Sequence, residues 1–486
     1  MDYNKIKTVG QLKAAGYQSR SIKEEVRSNL VEKLKSGEKV FEGILGFEQT
    51  VIPDIQRALL SSHNILLLGL RGQAKTKIAR LLTQLLDEYI PIITGSELND
   101  DPFHPISRFG LDQIEKHGDD TPIHWISKDE RYVEKLATPD VSVADLIGDV
   151  DPIKAATLKL PYSDERVIHF GLVPRSNKAI FVINELPDLQ PRIQVSLFNI
   201  LQEGDIQIRG FKLRMPLDII FIFTANPEDY TNRGSIITPL KDRIESQILT
   251  HYPTDIKIAQ QITSQEAKLS EDQQKNIEVP EIARELLERV VFAARESEYI
   301  DEKSGISARM SITAFENLMS SAERRMLINN EKNTTLRLTD FWGVIPAITG
   351  KAELVYEGEQ EGPHNVAIYL IQDAIEEVFD NIFPKPDEDS DEYEVLRMWF
   401  SSGNSIHLGA DDQDKEFRIK LDAVPGLKKI VEGLVKDPKH HYFFMEILLN
   451  GLASKEVLNF QLDRQKIEFN DLLSQNFGNL DQDLFN

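Results

Sequence analysis

Lys75 and Thr76 close the run Gly69-Leu70-Arg71-Gly72-Gln73-Ala74, which itself follows four apolar residues, Ile65 to Leu68. A short buried strand, a loop of small residues, then Lys and Thr where a helix begins is a pattern suited to phosphate. Small residues let backbone N–H groups turn toward phosphate oxygens. A lysine there reaches the outer phosphates of a nucleotide, and a threonine hydroxyl coordinates magnesium. The candidate phosphate loop is therefore Gly69, Gly72, Gln73, Ala74, Lys75 and Thr76. It departs from the usual pattern at Ala74, where glycine is the norm, so a methyl group sits where the loop is tightest.

Two further apolar runs end in residues of matching chemistry. Ala179 to Ile183 leads into Asn184 and Glu185. At such a strand end a carboxylate orients the attacking water, the part given to Glu185, while the preceding residue holds a magnesium-bound water. Asn184 stands in that metal position with an amide oxygen and no charge, so an aspartate restored there is expected to lower the magnesium requirement. Leu217 to Ala225 ends at Asn226, followed by Pro227, Glu228 and Asp229. An amide at that tip suits the γ-phosphate. Arg243, in TPLKDRIES, and Arg309, in SGISARMSI, are the candidates for neutralising charge on a phosphoryl group.

The elements that must position these groups follow from pattern. Apolar strands buried on both faces, with helices between them, predict a mostly parallel α/β sheet. An amphipathic helix is expected over Ser19 to Ser36, a second after Gly46 to Gln56, a strand at Pro91 to Ile93 and a helix over Gln190 to Gln202. A polar, proline-bearing insertion separates the first two strand ends from Glu97 to Glu134, and DVSVADLIGDVDPIKAA after it is expected near the nucleotide. Beyond Tyr252 the pattern turns helical. Pro280 opens one helix, and others are expected over Ser311 to Asn329 and Thr339 to Tyr356, making an all-helical second domain. The acidic PKPDEDSDEYEV reads as a linker or exposed loop. His440 and His441 read as a surface pair, since no adjacent carboxylate supplies a third metal ligand. The expected domains are a helical segment at 1–40, a nucleotide-binding core at 41–255 with its insertion at 97–134, a helical lid at 256–383, and an extension at 384–486.

Composition bounds the partners. The 486 residues carry a formal charge of -23, a field that repels nucleic acid and anionic membranes. Cysteine is absent, which excludes disulfides and thiolate metal sites. No apolar run is long enough to span a bilayer and the N-terminal residues lack an apolar signal segment. The expectation is a cytoplasmic protein that neither binds nucleic acid nor inserts into a membrane.

Together GLRGQAKT, DLIGDVDPIKAA, GLVPRSNKAIFVINELPDL, LFNILQEGDIQIRG, FTANPEDY, PLKDRI and GISARMSITAFENLMSSAERR resemble AAA+ ATPases, in the group of the magnesium chelatase ATPase I subunit and the MoxR proteins. The resemblance covers about residues 41 to 358. It implies a P-loop α/β core with a helical lid, and ATP with magnesium as cofactors. It makes Asn226 a first sensor, Arg243 an arginine finger reaching a neighbour, and Arg309 a second sensor. It implies a β-hairpin around Gly204 to Phe211 and Arg214. It also implies a homo-oligomeric ring, of six subunits in this group, that remodels a protein or metal-cofactor client, with an adhesion-domain partner protein in some systems. The alternatives are the motor subunit of a magnesium chelatase-type complex and a nucleotide-gated scaffold with little hydrolysis, the latter favoured by Ala74 and Asn184. A polymerase-remodelling activator is disfavoured by the charge and by the lack of a helix-turn-helix signal.

Overall fold

A computed structural model of the chain describes residues 3, 5–162, 164–204, 206, 208, 215–227, 235–301, 306–386, 392–463 and 466–472. These form two compact units, 1–251 and 252–486. The first is α/β. Its strands are β1 (Ile65–Leu68), β2 (Tyr89–Ile93), β3 (Ile123–Ser127), β4 (Tyr132–Leu136), β5 (Gly148–Val150), β6 (Ile168–Phe170), β7 (Ala179–Asn184), β8 (Ile219–Ala225) and β9 (Ser246–Leu249). Five of them make a parallel sheet in the order β4-β7-β8-β1-β9.

Alternation sorts the apolar side chains of these strands onto two faces. Leu66, Leu68, Phe181, Ile183, Phe221 and Phe223 enter one core. Ile65, Leu67, Ile180, Val182, Ile220 and Ile222 enter the other, with Ile78 and Ala79 from the helix Lys75–Leu81. Both faces are covered, which is why the strands read as unbroken apolar runs. β1, β7 and β8 release their polar residues at their carboxyl ends, where open parallel sheets bind ligands.

The N-terminal segment is part of this unit. Ser21 caps the helix Ile22–Ser36 in a capping box with Glu24, and Ile22, Val26 and Leu30 join the core that holds β1. Glu25 of that helix meets Arg131, at the entrance to β4, in a buried bidentate pair with both N–O distances 2.7 Å. Removing either partner strands a buried charge, at a cost of about 3–5 kcal/mol. The insertion likewise belongs to the fold. It contains the helix Arg108–His117 and β3, and its end runs into β4, the edge strand of the main sheet. The strand expected at Pro91 to Ile93 exists as β2, but it lies outside the main sheet and pairs antiparallel with β3.

The second unit is predominantly helical, built on Glu281–Glu296, Ala308–Ile328, Pro363–Ile382 and His441–Ser454. Three expectations need correction. Within the stretch expected to be all helical, β10 (Ile277–Glu278) pairs with β11 (Thr334–Thr335), while β12 (Ile406–Gly409), β13 (Asn459–Asp463) and β14 (Lys466–Asn470) form an antiparallel sheet in the expected extension. The run from Thr339 to Tyr356 is broken. It divides into a 3-10 turn Leu338–Val344, a short helix Ile345–Thr349 and a separate helix Tyr356–Glu361. Pro346, which has no N–H to donate, sits where the second piece begins. His441 is buried rather than superficial, with Nε2 2.9 Å from the Val435 carbonyl oxygen. One core runs from Ile277 to Phe469, so the boundary expected at 384 falls inside it. The linker expected at 384–395 lies in part outside the described residues, as does the polar tail after 472. Among the described residues no helix is long and apolar enough to cross a membrane.

Glu446 in this core gives a pH prediction. Its carboxylate accepts the Leu338 N–H at 2.8 Å and the Thr339 N–H at 3.0 Å. Burial pushes its pKa up to about 7, outweighing the opposing pull of those N–H groups and Arg337. An acid whose folded pKa is raised holds a proton that the unfolded chain has released. Stability from this group is therefore full below the ordinary glutamate range and falls as pH rises to about 7. The slope is about 1.4 kcal/mol per pH unit at most. Denaturant midpoints across this window are expected to fall in the wild-type chain and to fall less in Glu446→Gln. Parallel profiles would refute the assignment.

Candidate nucleotide site

The candidate phosphate loop is held by side-chain hydrogen bonds, one of them to Thr250 beyond β9. Gly69 continues β1 into the loop, and a Cβ there would collide with Thr250 Oγ1 and Gln73 Oε1. Those two atoms are bonded to each other: the Thr250 hydroxyl donates to Gln73 Oε1 at 2.6 Å. Gln73 is buried, and its side chain anchors the loop to the residue following β9. Gly72 has φ 74° and Ala74 has φ 57°, ψ 14°. The left-handed region explains why glycine is the usual residue before the lysine. It costs alanine about 1–2 kcal/mol. Ala74→Gly is accordingly expected to keep or slightly raise stability despite the greater freedom of glycine when unfolded. A clear drop in thermal midpoint would show that the Ala74 methyl packs usefully.

Lys75 begins the helix and is buried. Its ammonium donates to the carbonyl oxygens of Gly69 and Leu70, the latter at 2.9 Å, and to Asn226 Oδ1 at 2.8 Å. Asn226 Nδ2 in turn donates to Glu185 Oε2 at 3.1 Å. The loop after β1, the tip of β8 and the tip of β7 thus meet in one hydrogen-bonded line, Lys75–Asn226–Glu185. Glu185 has φ 56° and ψ 49°. A non-glycine residue held left-handed at a strand end is local strain, which collects at functional sites. Its N–H donates to Thr224 Oγ1 at 3.2 Å. Thr76 follows in the first turn of the helix, half-buried.

Asn184 is occupied on both sides. Its Oδ1 accepts the Thr224 hydroxyl at 3.0 Å, and its Nδ2 donates to Glu134 Oε1 at 2.7 Å. Glu134 also takes Arg80 Nε and the Tyr132 hydroxyl on its other oxygen, each at 3.0 Å. Burial, then the Glu134 charge, raises the Tyr132 phenol pKa.

The remaining candidates are placed separately. The expected helix Gln190 to Gln202 is two helices, Pro191–Ser196 and Phe198–Glu203. Gln202 accepts Arg243 Nε and Nη2 at 3.0 and 2.9 Å, while Arg243 Nη1 donates to the Pro239 carbonyl at 2.7 Å. The same guanidinium lies 5.0 Å from the Phe198 ring centroid. Arg309 is exposed in the first turn of Ala308–Ile328 in the second unit. DVSVADLIGDVDPIKAA packs Leu146, Ile147 and Ala155 on the sheet face opposite to that of Ile78. Glu228, Asp229 and most of the hairpin expected at 204–211, with Arg214, lie outside the described residues.

Sequence reading missed Thr224, Thr250 and Glu134. Thr224 was visible as the one hydroxyl inside the apolar run before Asn226. Glu134 gave no local signal, because its role depends on which strand β4 neighbours.

No family model and no curated protein matches the chain. Among solved structures it is similar to NtrX from Brucella abortus, with 14% identity and a TM-score of 0.33 over 60% of this chain and 54% of that one. The chain therefore spans about half the length of NtrX. It is similar also to a complex of the magnesium chelatase subunits BchI and BchD, with 18% identity and a TM-score of 0.34 over 66% and 98% of the two chains. A RuvB variant from Thermotoga maritima matches at 10% identity and a TM-score of 0.33 over 91% and 98%.

Proposed function

We propose that this chain is an AAA+ ATPase of the magnesium chelatase I and MoxR-like group. It binds ATP with magnesium between subunits and couples hydrolysis to remodelling of a protein or metal-cofactor client. The line Lys75–Asn226–Glu185 across three loop and strand ends carries this reading. A cation for phosphate, an amide for the γ-phosphate and a carboxylate for water sit within hydrogen-bond reach of one another, which a chance loop would not assemble.

In this reading Lys75 exchanges its carbonyl partners for phosphate oxygens. Asn226 senses the terminal phosphate and, through its bond to Glu185, ties the carboxylate to the nucleotide state. Glu185 orients and deprotonates the attacking water. Thr76 and Asn184 offer oxygens to the metal shell. Bound magnesium would draw off charge on the phosphates. The chain also offers a second reading, a nucleotide-gated scaffold, which the engagement of both sides of Asn184 favours.

Arg243 carries the ring part of the proposal, reaching the neighbour's nucleotide, and Arg309 acts as second sensor from the helical unit. Arg243→Ala is expected to spare ATP binding and to cut turnover by about 10³-fold, the scale of an arginine finger. Phosphate release with magnesium and ATP tests this directly. Arg243→Ala and Glu185→Gln chains are each expected to be nearly inactive alone. Mixed, they should recover activity, because some sites then pair an intact Glu185 with an intact neighbouring Arg243. Mixed assemblies without any recovery would remove the trans role.

A further inference from the structure

The position that should bring a negative charge to the metal, residue 184, is an asparagine, yet a carboxylate is one hydrogen bond away. Leu136 of β4 lies opposite Asn184 of β7 in the parallel register. Glu134, two residues earlier, therefore projects on the same face as Asn184. That face carries Leu67, Val182 and Ile222 and is covered by the helix that begins at Lys75. Arg80, one turn beyond Thr76 on that helix, reaches Glu134 from above. Glu134 is thus placed by three donors on three elements, Asn184 of β7 at 2.7 Å, Arg80 of the helix and Tyr132 of its own strand.

We propose that the acidic charge has moved from residue 184 to residue 134, and that Glu134, acting through Asn184, sets how strongly the nucleotide site takes magnesium. Glu134 is a positioning residue. Its carboxylate fixes the amide so that Nδ2 faces β4 and Oδ1 faces Thr224, on the strand that ends in Asn226. Its charge polarises the amide and adds a negative potential to the end of β7. The arrangement also reverses the expectation drawn from sequence for Asn184→Asp. That substitution removes the donor that Glu134 accepts from and sets a second carboxylate against it, so mutual repulsion turns the new side chain out of the place Asn184 holds and its charge does not reach the metal. The favourable exchange is the double one, Glu134→Gln with Asn184→Asp. It keeps one carboxylate and one amide in the same hydrogen bond with the partners reversed.

This inference rests on the nucleotide-site reading, and the test separates the two. Binding of a fluorescent ATP analogue is followed against magnesium concentration in four chains: wild type, Glu134→Gln, Asn184→Asp and the double exchange. The midpoint is expected to rise by about five-fold or more in Glu134→Gln, in keeping with a unit charge acting at short range in a partly screened site. It should not fall in Asn184→Asp, and it should return to within about two-fold of wild type in the exchange. Thermal melts of the same chains identify a merely structural loss, which would move stability and leave the midpoint alone. An unmoved midpoint in Glu134→Gln, a lowered one in Asn184→Asp, or no recovery in the exchange overturns the inference while the nucleotide reading stands. No analogue binding by the wild-type chain at any magnesium concentration overturns both.

Discussion

Glu185→Gln is expected to cut ATP turnover by about 10²-fold or more while ATP affinity stays within about two-fold. The substitution is nearly isosteric. The glutamine carbonyl can still accept the Asn226 amide, a bond of 3.1 Å in the wild type, and the backbone bond to Thr224 is untouched. What disappears is the carboxylate that, in the proposed role, takes the proton from water. The left-handed backbone at this residue is equally uncomfortable for either side chain, so folding should be unaffected. Single-turnover phosphate release beside equilibrium binding separates the two quantities. Unchanged turnover would take Glu185 out of the chemistry, and lost affinity would make it a ligand of the nucleotide instead.

Lys75→Ala is expected to weaken ATP binding by about 10²-fold or more, since charge-assisted hydrogen bonds to phosphate contribute about 1.5–3 kcal/mol each. Lys75 also holds the loop in the absence of phosphate, through two carbonyls and Asn226. A modest fall in thermal stability should therefore accompany the loss, and Lys75→Met, which keeps the aliphatic stem, should show less of it. Near-wild-type affinity in a folded Lys75 variant would refute the phosphate loop.

The parts of this site legible in the sequence are those whose chemistry is local. The loop is a run of adjacent residues whose small side chains and lysine have one physical reading. The strands β7 and β8 announced themselves as apolar runs because both their faces are buried, and their polar ends marked the site. What the sequence hid is what depends on neighbours in space. β4 reads as the tail of a polar insertion, since an edge strand need not be apolar on both faces, and so Glu134 could not be paired with Asn184. Gln73 reads as a loop residue and turns out to anchor the loop to Thr250. The second unit was hidden differently. Helical periodicity was correct for Glu281–Glu296 and Ala308–Ile328. Short strands such as β12 to β14 find their pattern only when paired with one another.

Titration of the wild-type chain with ATP by calorimetry, with and without magnesium, decides whether the Lys75 loop takes a nucleotide. Saturable binding near one nucleotide per chain is expected, strengthened by magnesium and lost in Lys75→Ala. Absence of binding in folded wild-type protein at millimolar ATP, or binding that Lys75→Ala leaves intact, would contradict it.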